Sequence, residues 1–174
     1  MKTHKAATVV AVLGLGLISA CGGSGASDGT IEITGLDYGF AGVPETAATG
    51  AELTFTNDSE AEFHEMVVFR IADGEERTLQ ELLQLPEEES ESLIEFQGVL
   101  VALPGEDGFN PEVEGTSVAL GQAGRYGIVC FIPQGADPAA VEEAMAGATD
   151  GPPDLGEGTP HAFLGMAAEF QVEE

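Results

Sequence analysis

Basic residues are what this sequence has least of. Of 174 residues only five are Lys or Arg, against 31 Asp and Glu, for a formal net charge of −26. Lys2 and Lys5 sit at the very start, so beyond residue 20 only Arg70, Arg77 and Arg125 face all 31 acids. Such a surface repels duplex DNA and anionic membranes, and no nucleic-acid partner is expected. The acids are spread along the whole chain, which favours adaptation to high salt. Steering of a cationic redox partner is the alternative. Long apolar runs are also missing: Ala6 to Leu17 is too short and wrongly flanked for a membrane span. Tryptophan is absent, which decides nothing, and cysteine is down to two, Cys21 and Cys130. What is present is an ordinary apolar content of 43%, enough for a packed core. The 24 glycines and nine prolines favour a turn-rich β architecture over a helical bundle. The length suits one domain plus a leader.

The leader reads as residues 1–20. Lys2 and Lys5 precede the apolar run, small residues follow, and this is the logic of an export signal. Ile18-Ser19-Ala20-Cys21 resembles a bacterial lipoprotein box, which implies that Cys21 is lipidated and anchors the protein to a membrane outside the cytoplasm. Residues 21–29, with Gly22-Gly23-Ser24-Gly25, then form a flexible tether. An ordinary cleaved secretory signal is the alternative, and His4 falls in the leader on either reading. With Cys21 lipidated, Cys130 has no disulfide partner. A lone thiol in an oxidising compartment is either buried as a small hydrophobe or put to use.

Residues 30–174 read as one all-β domain. Thr30–Leu36, Ala51–Asn57 and Glu65–Ile71 show strand patterning, with 37–50 as loop and 58–62 as turn. Thr78–Leu85 is an amphipathic helix with Thr78 as cap and Glu81 three residues on, stopped by Pro86 before an acidic loop. Phe96–Leu103 is extended, 104–115 is loop, and Ser117–Leu120 is a strand. In Arg125–Phe131 a period of two puts Tyr126, Ile128 and Cys130 on one face. Asp137 caps a second helix that starts at Pro138, and 147–160 is Gly/Pro-rich loop. The last strand, Met166–Val172, carries Met166, Ala168, Phe170 and Val172 on one face. Many short strands with turn signals argue a β-sandwich.

The chemistry-bearing residues lie in Phe63-His64-Glu65-Met66, at a loop-to-strand junction, in the strand ending at Cys130, and in Pro160-His161-Ala162-Phe163-Leu164-Gly165-Met166. Two imidazoles, a thiolate and a weak axial thioether are the donor set of a blue-copper site. Each residue alone has a plainer reading: surface or capping histidine, core cysteine, core methionine. Together, Gly124-Arg125-Tyr126-Gly127-Ile128-Val129-Cys130, Pro160-His161 and Gly165-Met166 resemble the cupredoxins, the plastocyanin/azurin-like family. The resemblance implies a Greek-key β-sandwich, a copper cofactor, His64, Cys130, His161 and Met166 as its ligands, electron transfer with a redox partner protein, and a monomer that is not an enzyme.

This sequence departs from the family pattern in two places. Thirty residues, 131–160, separate Cys130 from His161, where the family has only a few. Such an insertion either bulges out and returns, since each doubling of loop length adds only about 0.6 kcal/mol of closure entropy, or displaces His161. Glu65 follows His64 where some family members carry Asn. Two other functions use the same sandwich: a metal-free binding or assembly module, and a copper delivery protein with an open site. A thiol hydrolase built on Cys130 and His161 finds no residue placed to orient the histidine and no oxyanion hole. Asp107-Gly108-Phe109-Asn110 lacks the alternating carboxylates of a calcium loop, and no P-loop or dinucleotide fingerprint occurs.

Overall fold

A computed structural model describes residues 29–111, 113–147 and 155–174. The leader, Cys21 and most of the tether lie outside the described residues. Among the described residues no helix is long and apolar enough to cross a membrane.

Among the described residues nine strands form two mixed sheets. The four-stranded sheet orders β2 (Gly39–Ala41), β1 (Thr30–Leu36), β4 (Glu52–Asn57) and β7 (Val118–Ala119). The five-stranded sheet orders β3 (Thr46–Ala48), β9 (Ala167–Glu173), β8 (Gly124–Val129), β5 (His64–Ile71) and β6 (Ile94–Ala102). The β-sandwich expected from the sequence is what the chain forms.

Alternation builds the half-buried strands. In β1, Ile31 and Ile33 point inward while Thr30 and Glu32 face solvent, and β4 does the same with Leu53 and Phe55. The two pair in parallel, Ile31 beside Leu53 and Ile33 beside Phe55. Strand β5 lies between β6 and β8 and is covered on both faces, so it reads as a continuous apolar run. Its Met66 and Val68 join the core between the sheets. Val67 and Phe69 face the other way, into a second cluster with Leu79, Val129, Ile132 and Val141.

Among the described residues there are four helices, and two of them contribute Leu79 and Val141 to that second cluster. Helix α1 (Leu79–Leu82) carries the expected capping box: the Glu81 N–H donates to the Thr78 hydroxyl, and the Thr78 N–H donates to the Glu81 carboxylate. It is one turn long, shorter than the expected Thr78–Leu85. Helix α2 (Glu87–Ser90) falls where an acidic loop is expected. In α3 (Pro138–Gly147) the Asp137 carboxylate accepts the Ala139 N–H, the expected cap. Helix α4 (His161–Leu164) is a single turn ended by Gly165 at φ 119°, a left-handed position that a side chain disfavours.

Strands β2 and β3 lie in the stretch 37–50 that reads as loop. Each is three residues long, too short to show a period, and each forms only because a longer strand is there to pair with. Strand β2 folds back on β1, and β3 runs parallel to the end of β9.

Candidate metal centre

The start of β5, the end of β8 and the start of β9 meet at one end of the five-stranded sheet. His64 opens β5, Cys130 follows β8 by one residue, and Met166 precedes β9 by one. The Cys130 N–H donates to the Met166 carbonyl at 3.1 Å, continuing the β8–β9 ladder one step past the named strands. His161 is brought in by α4, whose first residue it is. The Gly165 turn then folds Met166 back, so that the Met166 N–H donates to the His161 carbonyl at 2.9 Å.

The insertion does not displace His161, because its two ends are laced together. The Gln134 N–H donates to the Thr159 carbonyl (2.9 Å), the His161 N–H to the Ile132 carbonyl (3.0 Å), and the Ala162 N–H to the Cys130 carbonyl (2.8 Å). Pro133 and Pro160 pair across this neck. Both described ends of the 30-residue insertion therefore stay at the sheet end that carries Cys130, and residues 148–154 lie outside the described residues.

Three donor atoms converge as a result. His64 Nδ1 lies 3.2 Å from His161 Nδ1, and Cys130 Sγ lies 3.5 Å from His161 Nδ1 and 3.9 Å from His64 Nδ1. The three residues form a group able to hold a metal ion, their ligand atoms all within 4.8 Å of one another. All three are 0% exposed. Met166 is equally buried, and its methyl group lies 3.3 Å from where a Cβ on Gly35 would stand. A side chain on Gly35 would also meet the Phe55 ring at 2.9 Å, so the bare backbone of β1 is what leaves room for the Met166 side chain.

Electrostatics show what these groups want. Burial holds His64 down to about 4, helped by neighbouring His161 and opposed by Glu62, Asp37 and the Leu36 backbone. Burial also lowers His161, against the pull of Glu62. It pushes the Cys130 thiol well up, with Glu65 adding to the effect. Both imidazoles are therefore neutral, and the thiol keeps its proton. Two bare Nδ1 lone pairs repel at 3.2 Å, so either one nitrogen carries a proton or a cation stands between them. The Nε2 atoms on the far sides are buried without a hydrogen-bond partner. Glu62 Oε2 is 3.6 Å from His161 Nε2, and the Leu36 backbone favours the protonated form of His64. A proton held on His161 Nε2 by Glu62 would turn the Nδ1 lone pair inward, the arrangement found around metal-ligating histidines.

The donor set fits copper. A thiolate and two imidazoles in a trigonal array, with a thioether close by, suit a soft, redox-active ion, whereas calcium and magnesium need oxygen ligands. Glu65 supports the array from behind. It is 9% exposed, its carboxylate accepts the Phe131 N–H at 2.9 Å, and it thereby ties the residue after His64 to the residue after Cys130. Burial raises it to about 7, opposed by that one bond.

Three further residues support the site. Asn57 is buried at the end of β4; its amide donates to the carbonyls of Glu62 (2.9 Å) and Ala102 (3.0 Å), and its oxygen accepts the Ser59 N–H. Tyr38 stands edge-on to the His161 ring at 5.1 Å. Glu62 lies in what reads from the sequence only as a turn. An Asn-x-Ser turn at a strand end hints at the first; nothing local marks the other two.

No known protein family and no curated protein matches the sequence. Solved structures do match. One is reduced auracyanin from the photosynthetic bacterium Roseiflexus castenholzii, at 18% identity and TM-score 0.43, covering 86% of this chain and 100% of that one. A second is auracyanin A, a blue copper protein of Chloroflexus aurantiacus, at 17% identity and TM-score 0.43, covering 83% and 98%. Auracyanin B follows at 15% identity and TM-score 0.39, covering 84% and 89%. These three structural neighbours are auracyanins. The auracyanin likeness is one of overall outline, and the chemistry of the site stands on its own donor geometry.

Proposed function

We propose that the chain is an extracytoplasmic, lipid-anchored type 1 copper protein that carries electrons to and from a partner protein. The observation that supports this is the convergence of His64 Nδ1, His161 Nδ1 and Cys130 Sγ, buried together and turned toward one another. On this reading those three atoms are the strong ligands and Met166 is the weak axial one. Copper supplies a one-electron couple when bound. The protein does the rest: it excludes water from all four side chains, and it holds three of them on strand ends or their direct extensions, so little moves when the oxidation state changes. Cys130 gives up its proton when the site is filled, which links copper uptake to proton release.

Copper delivery asks for an exchangeable site, and the complete burial of these side chains argues for retention instead. The partner is expected to be basic. All three arginines are engaged within the chain: Arg70 with Asp73, Arg77 with Glu75 and Glu89, and Arg125 with Glu169. The surface left to a partner is then dominated by carboxylates. The membrane anchor rests on Cys21 and the export-signal pattern before it.

The test is an optical spectrum of the protein from Gly22 onward after Cu(II) addition, beside Cys130→Ala. The expected result is an intense blue thiolate-to-copper band that vanishes in the variant. A colourless protein that retains no copper under oxidising or reducing conditions would overturn the proposal.

A further inference from the structure

Glu62 stands where the ligand set above leaves a question open: what fixes the His161 ring? His161 Nε2 is buried and lacks a hydrogen-bond partner, and Glu62 Oε2 faces it at 3.6 Å. A small rotation of a carboxylate that is still 18% exposed closes that gap. The carboxylate is otherwise well held. Oε1 accepts the Tyr38 hydroxyl at 3.2 Å, and Oε2 accepts the Gly135 N–H at 3.2 Å. Its backbone is held as well, the carbonyl by the buried Asn57 amide and the N–H by the Ser59 hydroxyl at 3.0 Å. Tyr38 in turn takes a hydrogen bond from Gln134 (2.9 Å) while its ring edge meets His161. The chain therefore brings the end of β4, the β1–β2 turn and the start of the insertion together around one carboxylate, and aims it at the back of one ring.

We propose that Glu62 is the positioning residue of His161. Its carboxylate accepts the Nε2 proton, fixes the ring in the tautomer whose Nδ1 lone pair faces Cys130 and His64, and lends that nitrogen negative character. The proposal rests on the copper reading for its redox consequence, but the tautomer belongs to the protein alone. A carboxylate behind a ligand imidazole makes it a stronger donor and favours the more highly charged oxidation state. Glu62 thus holds the potential down, and the insertion takes part through Gly135 and Gln134.

The experiment compares wild type, Glu62→Gln and Glu62→Ala in two states. In the copper-free protein, ¹⁵N imidazole shifts should show His161 protonated at Nε2 in wild type and in Glu62→Gln, whose amide oxygen still accepts, and a tautomer mixture in Glu62→Ala. In the copper-loaded protein, the midpoint potential should rise in both variants while the blue band persists. His161 protonated at Nδ1 in the copper-free wild type, or potentials that do not move in either variant, would overturn the proposal. If copper does not bind at all, the functional reading above fails, and the copper-free shifts still decide the role of Glu62.

Discussion

The two buried clusters of this protein share the five-stranded sheet and are built on different terms. Between the sheets, Ile33, Leu53, Phe55, Met66, Leu100 and Ile128 pack side chain on side chain, and all are at most 2% exposed. Tyr126 belongs to the same cluster, but its hydroxyl reaches the Gln122 carbonyl at 2.9 Å and its ring stacks on Phe170. Nothing in that cluster asks for a further partner. The second cluster holds Cys130 and Met166 among its apolar members and adjoins His64, His161 and Glu65, all nearly or fully buried. Those polar groups do not satisfy one another: two ring nitrogens have no hydrogen-bond partner, two more face each other, and a carboxyl group has a single hydrogen bond donated to it. The first cluster gains free energy by excluding water. The second spends some of it to hold donors in place, so stability and ligand chemistry are separable here.

That separation can be broken at either end. Phe55→Ala should produce the largest loss of stability, roughly 3–5 kcal/mol, because it opens a cavity between the sheets. Denaturant unfolding of the copper-free protein measures it, and whatever remains folded should keep the blue band at its wild-type position. A shifted band would mean that the clusters are coupled.

Glu65→Gln should act the other way. In the unfolded chain the Glu65 carboxyl ionises near its ordinary value of 4.5, while in the folded copper-free protein it keeps its proton to about 7. Between those values the native Glu65 carboxyl binds more protons than the unfolded one, so its contribution to stability falls as pH rises from about 4.5 to 7 and is level above. The total is at most about 3 kcal/mol. Glu65→Gln removes that slope: the variant should match wild type at pH 4 and exceed it at pH 8. Parallel pH profiles for the two proteins would show that Glu65 is not buried as described.

Gly35→Ala makes the smallest change and sharpens the comparison most. A Cβ there meets the Phe55 ring on one side and the Met166 methyl on the other, so it touches both clusters at once. Overpacking of this kind should cost about 1–3 kcal/mol. If Met166 yields, the midpoint potential moves; if Phe55 yields, only stability does. Measuring both decides which neighbour is the softer.

Three of the four proposed ligands are legible because each sits in a short local pattern: a Tyr four residues before Cys130 in one strand, Pro before His161, Gly before Met166. Their convergence was legible only through the family resemblance, since no local pattern brings residues 64, 130 and 161 together. The capping box at Thr78 and Glu81 and the Pro138 helix start were readable for the same reason as the motifs: the interaction partners are a few residues apart. Strands β2 and β3 escaped notice because their partners lie elsewhere in the chain. The neck of the insertion, and the roles of Tyr38, Asn57 and Glu62, depend on hydrogen bonds whose partners lie on other loops or strands, and sequence periodicity carries no trace of such contacts.

The laced neck has a consequence for how this chain tolerates change. Three backbone hydrogen bonds and a proline pair fasten the two sides before the chain departs, so the geometry of His161 is set at the neck. Beyond it Gly135 still reaches Glu62 and Val141 stays buried in the second cluster, so tolerance belongs to the exposed positions between them, Ala139 and Ala140, where a reporter group rides on the site without being part of it.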